Sequence, residues 1–151
     1  MKIAVLGYGT VGSGVVEVLD VNQKLIASRA KEEIEVKYVL DLRNFPGDKI
    51  QEKIVHDYEI ILNDPEIGIV VEVMGGVEPA NTFVRKALEA GKSVVTSNKA
   101  LVAKHGSALL KTAREKNVNF LFEASVGGGI PILRALVSSL TGDEIEEIAG
   151  I

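Results

Sequence analysis

The chain has 151 residues, 46% of them hydrophobic and 25% charged, with a formal net charge of −4 and no cysteine. This apolar content supports one buried core, and it excludes a disordered chain, a disulfide framework and a thiolate metal site. The acid excess, without a dense Lys/Arg stripe, argues against a nucleic-acid surface.

The opening MKIAVLGYG is too short an apolar run for a secretory signal and lacks a small-residue cleavage pattern. No run nears the roughly 20 apolar residues that cross a bilayer. A soluble, cytoplasmic protein without a membrane partner is expected. Residues 2–7 read as a buried strand, and 11–28 as one helix with Val11, Val15, Val18, Leu19 and Leu25 near helical spacing. Residues 33–41 read as a second strand, and 47–63 are ambiguous between a short helix and a short strand. GIVVEVMG, 68–75, reads as a buried strand. Pro79 suits the first turn of a helix running to about Ala90, with Gly91 as its C-terminal cap. Residues 93–97 read as a strand, and 99–116 as a helix with Leu101, Val102, Leu109, Leu110 and Ala113 inward. NFLFEA, 119–124, reads as a strand, 130–140 as a helix, and 144–151 as a last strand. That strand ends without a turn, so a chain cut from something longer is expected.

Strand–helix–strand repetition predicts an α/β fold: a doubly wound, mainly parallel sheet with helices on both faces, in one domain over 1–151. Gly7, Gly9 and Gly12 form G-x-G-x-x-G where the first strand meets the first helix. In that context the first glycine makes the turn, the second admits a pyrophosphate, and the third lets the helix approach the strand. The alternative is a tight turn with no ligand. The end of the second strand carries Asp41, which suits the ribose of NAD, and Arg43, which suits the 2′-phosphate of NADP. Their distance from Gly12 exceeds the usual ~20 residues, and the sequence leaves the choice open; the alternative is that both are solvated loop charges.

Gly75 and Gly76 end the central strand, where the backbone can admit a nicotinamide or simply turn. Ser97, Asn98 and Lys99 end the next strand and face the same crevice. Asn98 suits a helix cap. Lys99 places a positive charge at a helix start, against the dipole, which marks it as a functional candidate beside the plain reading of a solvated lysine. His56 and His105 lack partners at metal spacing and read as structural or exposed.

GYGTVG, EVMGG, EPA, VVTSNKALVA and EASVGGGIPI, in this order, resemble the nucleotide-binding part of homoserine dehydrogenase, over essentially the whole chain. The resemblance implies NAD(P)-dependent interconversion of L-homoserine and L-aspartate 4-semialdehyde, in the pathway to threonine, methionine and isoleucine. It implies a pyrophosphate loop at Gly7, Gly9, Thr10, Val11 and Gly12, and a lysine near the nicotinamide and substrate at Lys99. It also implies a monovalent-cation site for Na⁺ at Glu123, Val126, Gly128 and Ile130, largely through backbone carbonyls. Where many members carry an arginine just before the strand-end Asp, this chain has Leu40, which puts the usual NADP preference in doubt. Members continue into a substrate-binding and dimerising domain with a second catalytic lysine. The parent is therefore expected to be a homodimeric enzyme, and this chain to be its cofactor domain without turnover. The competing readings are a related amino-acid dehydrogenase or reductase, and a non-catalytic dinucleotide-sensing module.

Overall fold

The computed structural model describes residues 1–140 and 142–149. Six parallel strands form one sheet: β1 Lys2–Leu6, β2 Glu35–Leu40, β3 Ile54–Val55, β4 Ile67–Glu72, β5 Ser93–Thr96 and β6 Phe120–Leu121. Their spatial order is β3-β2-β1-β4-β5-β6. The order reverses between β1 and β4, so the loops leaving these two strands diverge and open a crevice at the carboxyl edge.

Alternate residues of β1 feed two cores, as the period of two demands. Ile3 and Val5 pack with Val16, Val36, Val39 and Ile50 on one face. Ala4 and Leu6 pack with Val70, Val84, Leu88, Leu101 and Leu109 on the other. Helix α1, Thr10–Val21, covers the first face; α4, Ala80–Glu89, and α5, Lys99–Glu115, cover the second. This is the doubly wound α/β arrangement expected from the strand–helix alternation. Helix α5 buries Leu101, Leu109 and Ala113 as anticipated, with Val102 and Leu110 half-buried.

The expected helix over 11–28 is two helices, α1 and α2, Gln23–Ala30. Asn22 separates them, and its side-chain amide donates to the Val18 carbonyl at 3.2 Å, competing with helix continuation as Asn characteristically does. Only Gly12 and Val16 of α1 are buried; Val11, Val18 and Leu25 are more than half exposed. The ambiguous stretch resolves into a 3₁₀ turn at Lys49–Lys53, the strand β3 and a short helix α3, Tyr58–Leu62.

Three other expectations are corrected. The sixth strand stops at Leu121 because the Phe122 carbonyl accepts from the Ser125 hydroxyl at 2.6 Å and the Ser125 N–H at 3.0 Å, turning the chain into α6, Ala124–Gly127. The helix expected over 130–140 is shorter, spanning residues 133–139, with Ala135–Ser139 wound as a π-helix. Residues 144–149 form no strand, because no strand lies beside them among the described residues to complete a ladder; 150 and 151 lie outside the described residues.

Candidate functional site

The first glycine loop is set by its glycines and by a backbone bond to β2. Gly7 has φ +99° and donates its N–H to the Leu40 carbonyl at 2.8 Å. A Cβ on Gly12 would stand 2.0 Å from the Gly7 oxygen, so only glycine lets α1 start this close to β1. A Cβ on Gly9 would meet nothing within 4 Å, which leaves the outer side of the loop open. Gly9 caps α1 without a side-chain hydrogen bond, and the first turn carries no acid. The N–H groups around Thr10, Val11 and Gly12 therefore keep their capacity for an anion, reinforced by the helix dipole. Helix α5 differs: the Asn98 side-chain oxygen accepts the Leu101 N–H at 3.1 Å and caps it.

Asp41 stands directly after β2 and reaches back to this loop. Its Oδ2 accepts the Tyr8 N–H at 2.8 Å. Its two oxygens also accept the Arg43 guanidinium in a fork, at 3.0 and 2.9 Å, and Oδ1 accepts the Arg43 N–H at 2.9 Å. The Arg43 side chain donates in turn to the Tyr8 carbonyl at 2.9 Å. The late position of Asp41 after Gly12 is explained by α2, an extra helix before β2 that leaves the strand end in its ordinary place.

Arg43, and then the backbone N–H groups of Arg43 and Tyr8, hold the Asp41 carboxyl well below the usual carboxylate range, against the opposing effect of burial. A folded-state depression of this kind stabilises the fold above the unfolded carboxylate value of about 3.9 and is lost as pH falls below it. Urea unfolding at about pH 3 and about pH 6 is expected to show a smaller acid loss for Asp41→Asn than for the native chain.

A cavity of about 540 Å³ joins these parts, lined among others by Gly7, Gly9, Asp41, Arg43 and Gly75. A larger recess of about 770 Å³ lies between α1 and the Lys49–Lys53 turn. It carries Glu17, Asp20, Asp48 and Glu52 against Lys49 and Lys53, which disfavours a pyrophosphate.

The far side of the crevice rests on a buried polar group. Glu72 is the last residue of β4, sits in register with Thr96 and is fully buried. It accepts the Thr96 hydroxyl at 2.6 Å, the Met74 N–H at 2.9 Å and the Asn98 side-chain amide at 3.3 Å. The same Asn98 amide donates to the Gly76 carbonyl at 2.5 Å. Gly75 and Gly76 have φ +80° and +73°, a region L-residues avoid. Lys99 is exposed and opens α5 beside this network, and the Ser97 N–H donates to the Glu72 carbonyl at 3.4 Å.

The second glycine segment runs from Glu123, the N-cap of α6, through Val126 inside that helix, to Gly128 at its C-cap and Ile130 beyond. Gly128 has φ +61°, and the Ile130 N–H donates to the Gly127 carbonyl at 3.0 Å. The Glu123 carboxylate accepts the Leu133 N–H at 2.7 Å and the Arg134 N–H at 3.0 Å. Its side chain thus caps the turn that follows Pro131.

The sequence profile described as "Homoserine dehydrogenase, NAD binding domain" matches residues 7–123. The chain belongs to this family. It is 42% identical over 156 residues to the homoserine dehydrogenase of Lactococcus lactis, covering 100% of this chain and 36% of that protein. It is 44% identical over 158 residues to that of Synechocystis, covering 100% of this chain and 35% of that one. The crystal structure of a homoserine dehydrogenase from Thiobacillus denitrificans superposes with a TM-score of 0.85 at 41% identity, covering 94% of this chain and 33% of that one. The chain thus spans about a third of the length of the curated relatives it matches.

In this homoserine dehydrogenase NAD-binding domain, the structure gathers Gly7, Gly9, Asp41, Arg43 and Gly75 around one cavity, while Gly76, Ser97, Asn98 and Lys99 stand at the neighbouring strand ends. Leu40, where the resemblance anticipates arginine, is buried and lines the cavity wall. His56, read as structural or exposed, is exposed, with its ring nitrogens 2.7 Å from the Asp41 carbonyl and 3.1 Å from the Asn44 side-chain oxygen. Sequence reasoning missed Tyr58 and Phe83, which stack at 4.2 Å under the same cavity, and Glu72. A lone acid inside the apolar run GIVVEVMG was the available signal, because a buried carboxylate needs donors. No helix among the described residues is long and apolar enough to cross a membrane.

Proposed function

We propose that this chain is the dinucleotide-binding domain, over 1–151, of a cytoplasmic, homodimeric homoserine dehydrogenase that interconverts L-homoserine and L-aspartate 4-semialdehyde for threonine, methionine and isoleucine synthesis. The observation that carries the reading is the side-chain-free N-terminus of α1, set against an Asp41 already tied to the same loop. The N–H groups of Gly9, Thr10, Val11 and Gly12 would hold the pyrophosphate. Asp41 accepts the adenosine ribose hydroxyls, displacing the exposed Arg43 side chain. Asp41 and the apolar Leu40 favour NAD; a 2′-phosphate gains Arg43 but meets the Asp41 charge, so NADP binds more weakly.

The bound nicotinamide supplies the hydride acceptor or donor. Gly75 and Gly76 admit its half of the cofactor, with Ser97 and Asn98 beside it. Lys99 holds or relays the substrate hydroxyl proton. The turn of Glu123, Val126, Gly128 and Ile130 holds Na⁺ through backbone carbonyls, with Glu123 fixing the loop. The chain spans about a third of those relatives' length, and we assign the homoserine-binding groups to the rest. The chain alone is therefore expected to bind cofactor yet give no L-homoserine-dependent reduction of NAD⁺ or NADP⁺, followed by absorbance. Turnover by the chain alone would contradict this division of labour.

A further inference from the structure

Glu72 carries more than a brace requires. Its carboxylate is fully buried, and all three partners donate to it. The buried Thr96 hydroxyl oxygen accepts the Asn98 N–H at 2.9 Å, and among the described residues its proton has no acceptor other than Glu72. Met74 offers a backbone N–H and Asn98 an amide N–H. A carboxylate, which only accepts, satisfies this set; a carboxylic acid or an amide that donated to the Thr96 oxygen would leave the buried Thr96 hydroxyl proton without an acceptor. Among the described residues no lysine, arginine or histidine forms an ion pair with it. The anion is held by neutral dipoles and by the nearby positive end of α5.

This charge lies one hydrogen bond beneath the crevice floor, since Met74 bonds it directly and Asn98 links it to Gly76. A buried charge acts through a low-dielectric medium and is little screened by salt. The oxidised nicotinamide ring is a cation and the reduced ring is neutral. We propose that Glu72 is a specificity-determining residue that makes this site favour the positively charged, oxidised nicotinamide over a neutral ring. The inference rests on the proposed reading that a nicotinamide dinucleotide crosses this crevice. A residue acting only as a loop brace would affect both rings alike.

The test is calorimetric titration of the chain with NAD⁺, with its neutral isostere benzamide adenine dinucleotide, and with ADP-ribose. The native chain is expected to bind NAD⁺ at least roughly 5-fold tighter than the benzamide analogue. Glu72→Gln should bring that ratio close to one while ADP-ribose affinity holds. Thr96→Val, which loosens the network but keeps the charge, should weaken both dinucleotides alike and preserve the ratio. Equal binding of the two rings by the native chain, or a ratio that survives in folded Glu72→Gln, would overturn the proposal. If Glu72→Gln does not fold, the native ratio decides. Loss of ring discrimination with ADP-ribose still bound strikes Glu72 alone; failure of ADP-ribose to bind the native chain strikes the dinucleotide reading as well.

Discussion

Gly12→Ala is expected to abolish measurable dinucleotide binding and to lower stability by about 3 kcal/mol. The added methyl would stand 2.0 Å from the Gly7 oxygen, and 3.0 Å from the Gly7 carbonyl carbon. Both are backbone atoms, so no side chain can swing aside. Relief requires α1 to move away from β1, which opens the Gly7–Leu40 hydrogen bond and re-aims the N–H groups that face the pyrophosphate. Gly14 is the control. A Cβ there meets nothing within 4 Å, and the residue lies inside α1. Gly14→Ala is therefore expected to raise stability by up to about 1 kcal/mol. Thermal unfolding and NADH titration of the two variants check both statements. Similar behaviour of the two would remove the steric account of the loop.

Asp41→Ser is expected to weaken NADH by roughly 10- to 100-fold, the worth of charge-assisted hydrogen bonds to the ribose. It should leave NADPH unchanged or bound more tightly, because a 2′-phosphate no longer meets the carboxylate and Arg43 is released to receive it. Arg43→Ala should do the reverse, weakening NADPH and sparing NADH. Arg43 is held in the unliganded site by the Asp41 fork and the Tyr8 carbonyl, but its side chain is 61% exposed while that of Asp41 is 10% exposed. The arginine is thus the part that moves. Equal losses for both cofactors in both variants would show that the pair is only a structural ion pair.

The loop and the strand end were legible because each uses a residue type with few alternative explanations. Gly7, Gly9 and Gly12 sit where a strand becomes a helix, and the steric reason for Gly12 is visible in the fold. Asp41 was legible despite its late position, since α2 lengthens the connection without moving the end of β2. Its fork with Arg43 was not, because a pair two residues apart in a loop has no period to announce it. The Glu72 network depends on the register of β4 with β5, which brings Glu72 beside Thr96; a sequence does not display cross-strand neighbours. His56, read as structural or exposed, is exposed, and its Asn44 and Asp41 carbonyl contacts are ones that only the fold brings near. The last strand was over-read from residues 144–151. Alternating apolar residues suggest a strand, but a ladder needs a neighbour, and residues 144–149 have none among the described residues.

The central claim is that this chain binds a nicotinamide dinucleotide by itself, through the Gly7–Gly12 loop and Asp41. The most direct test is side-by-side calorimetry of the purified chain with NADH and NADPH in Na⁺ buffer. The account predicts saturable binding of NADH, tighter than NADPH by about 10-fold and competed by ADP-ribose. Binding of neither cofactor would contradict it.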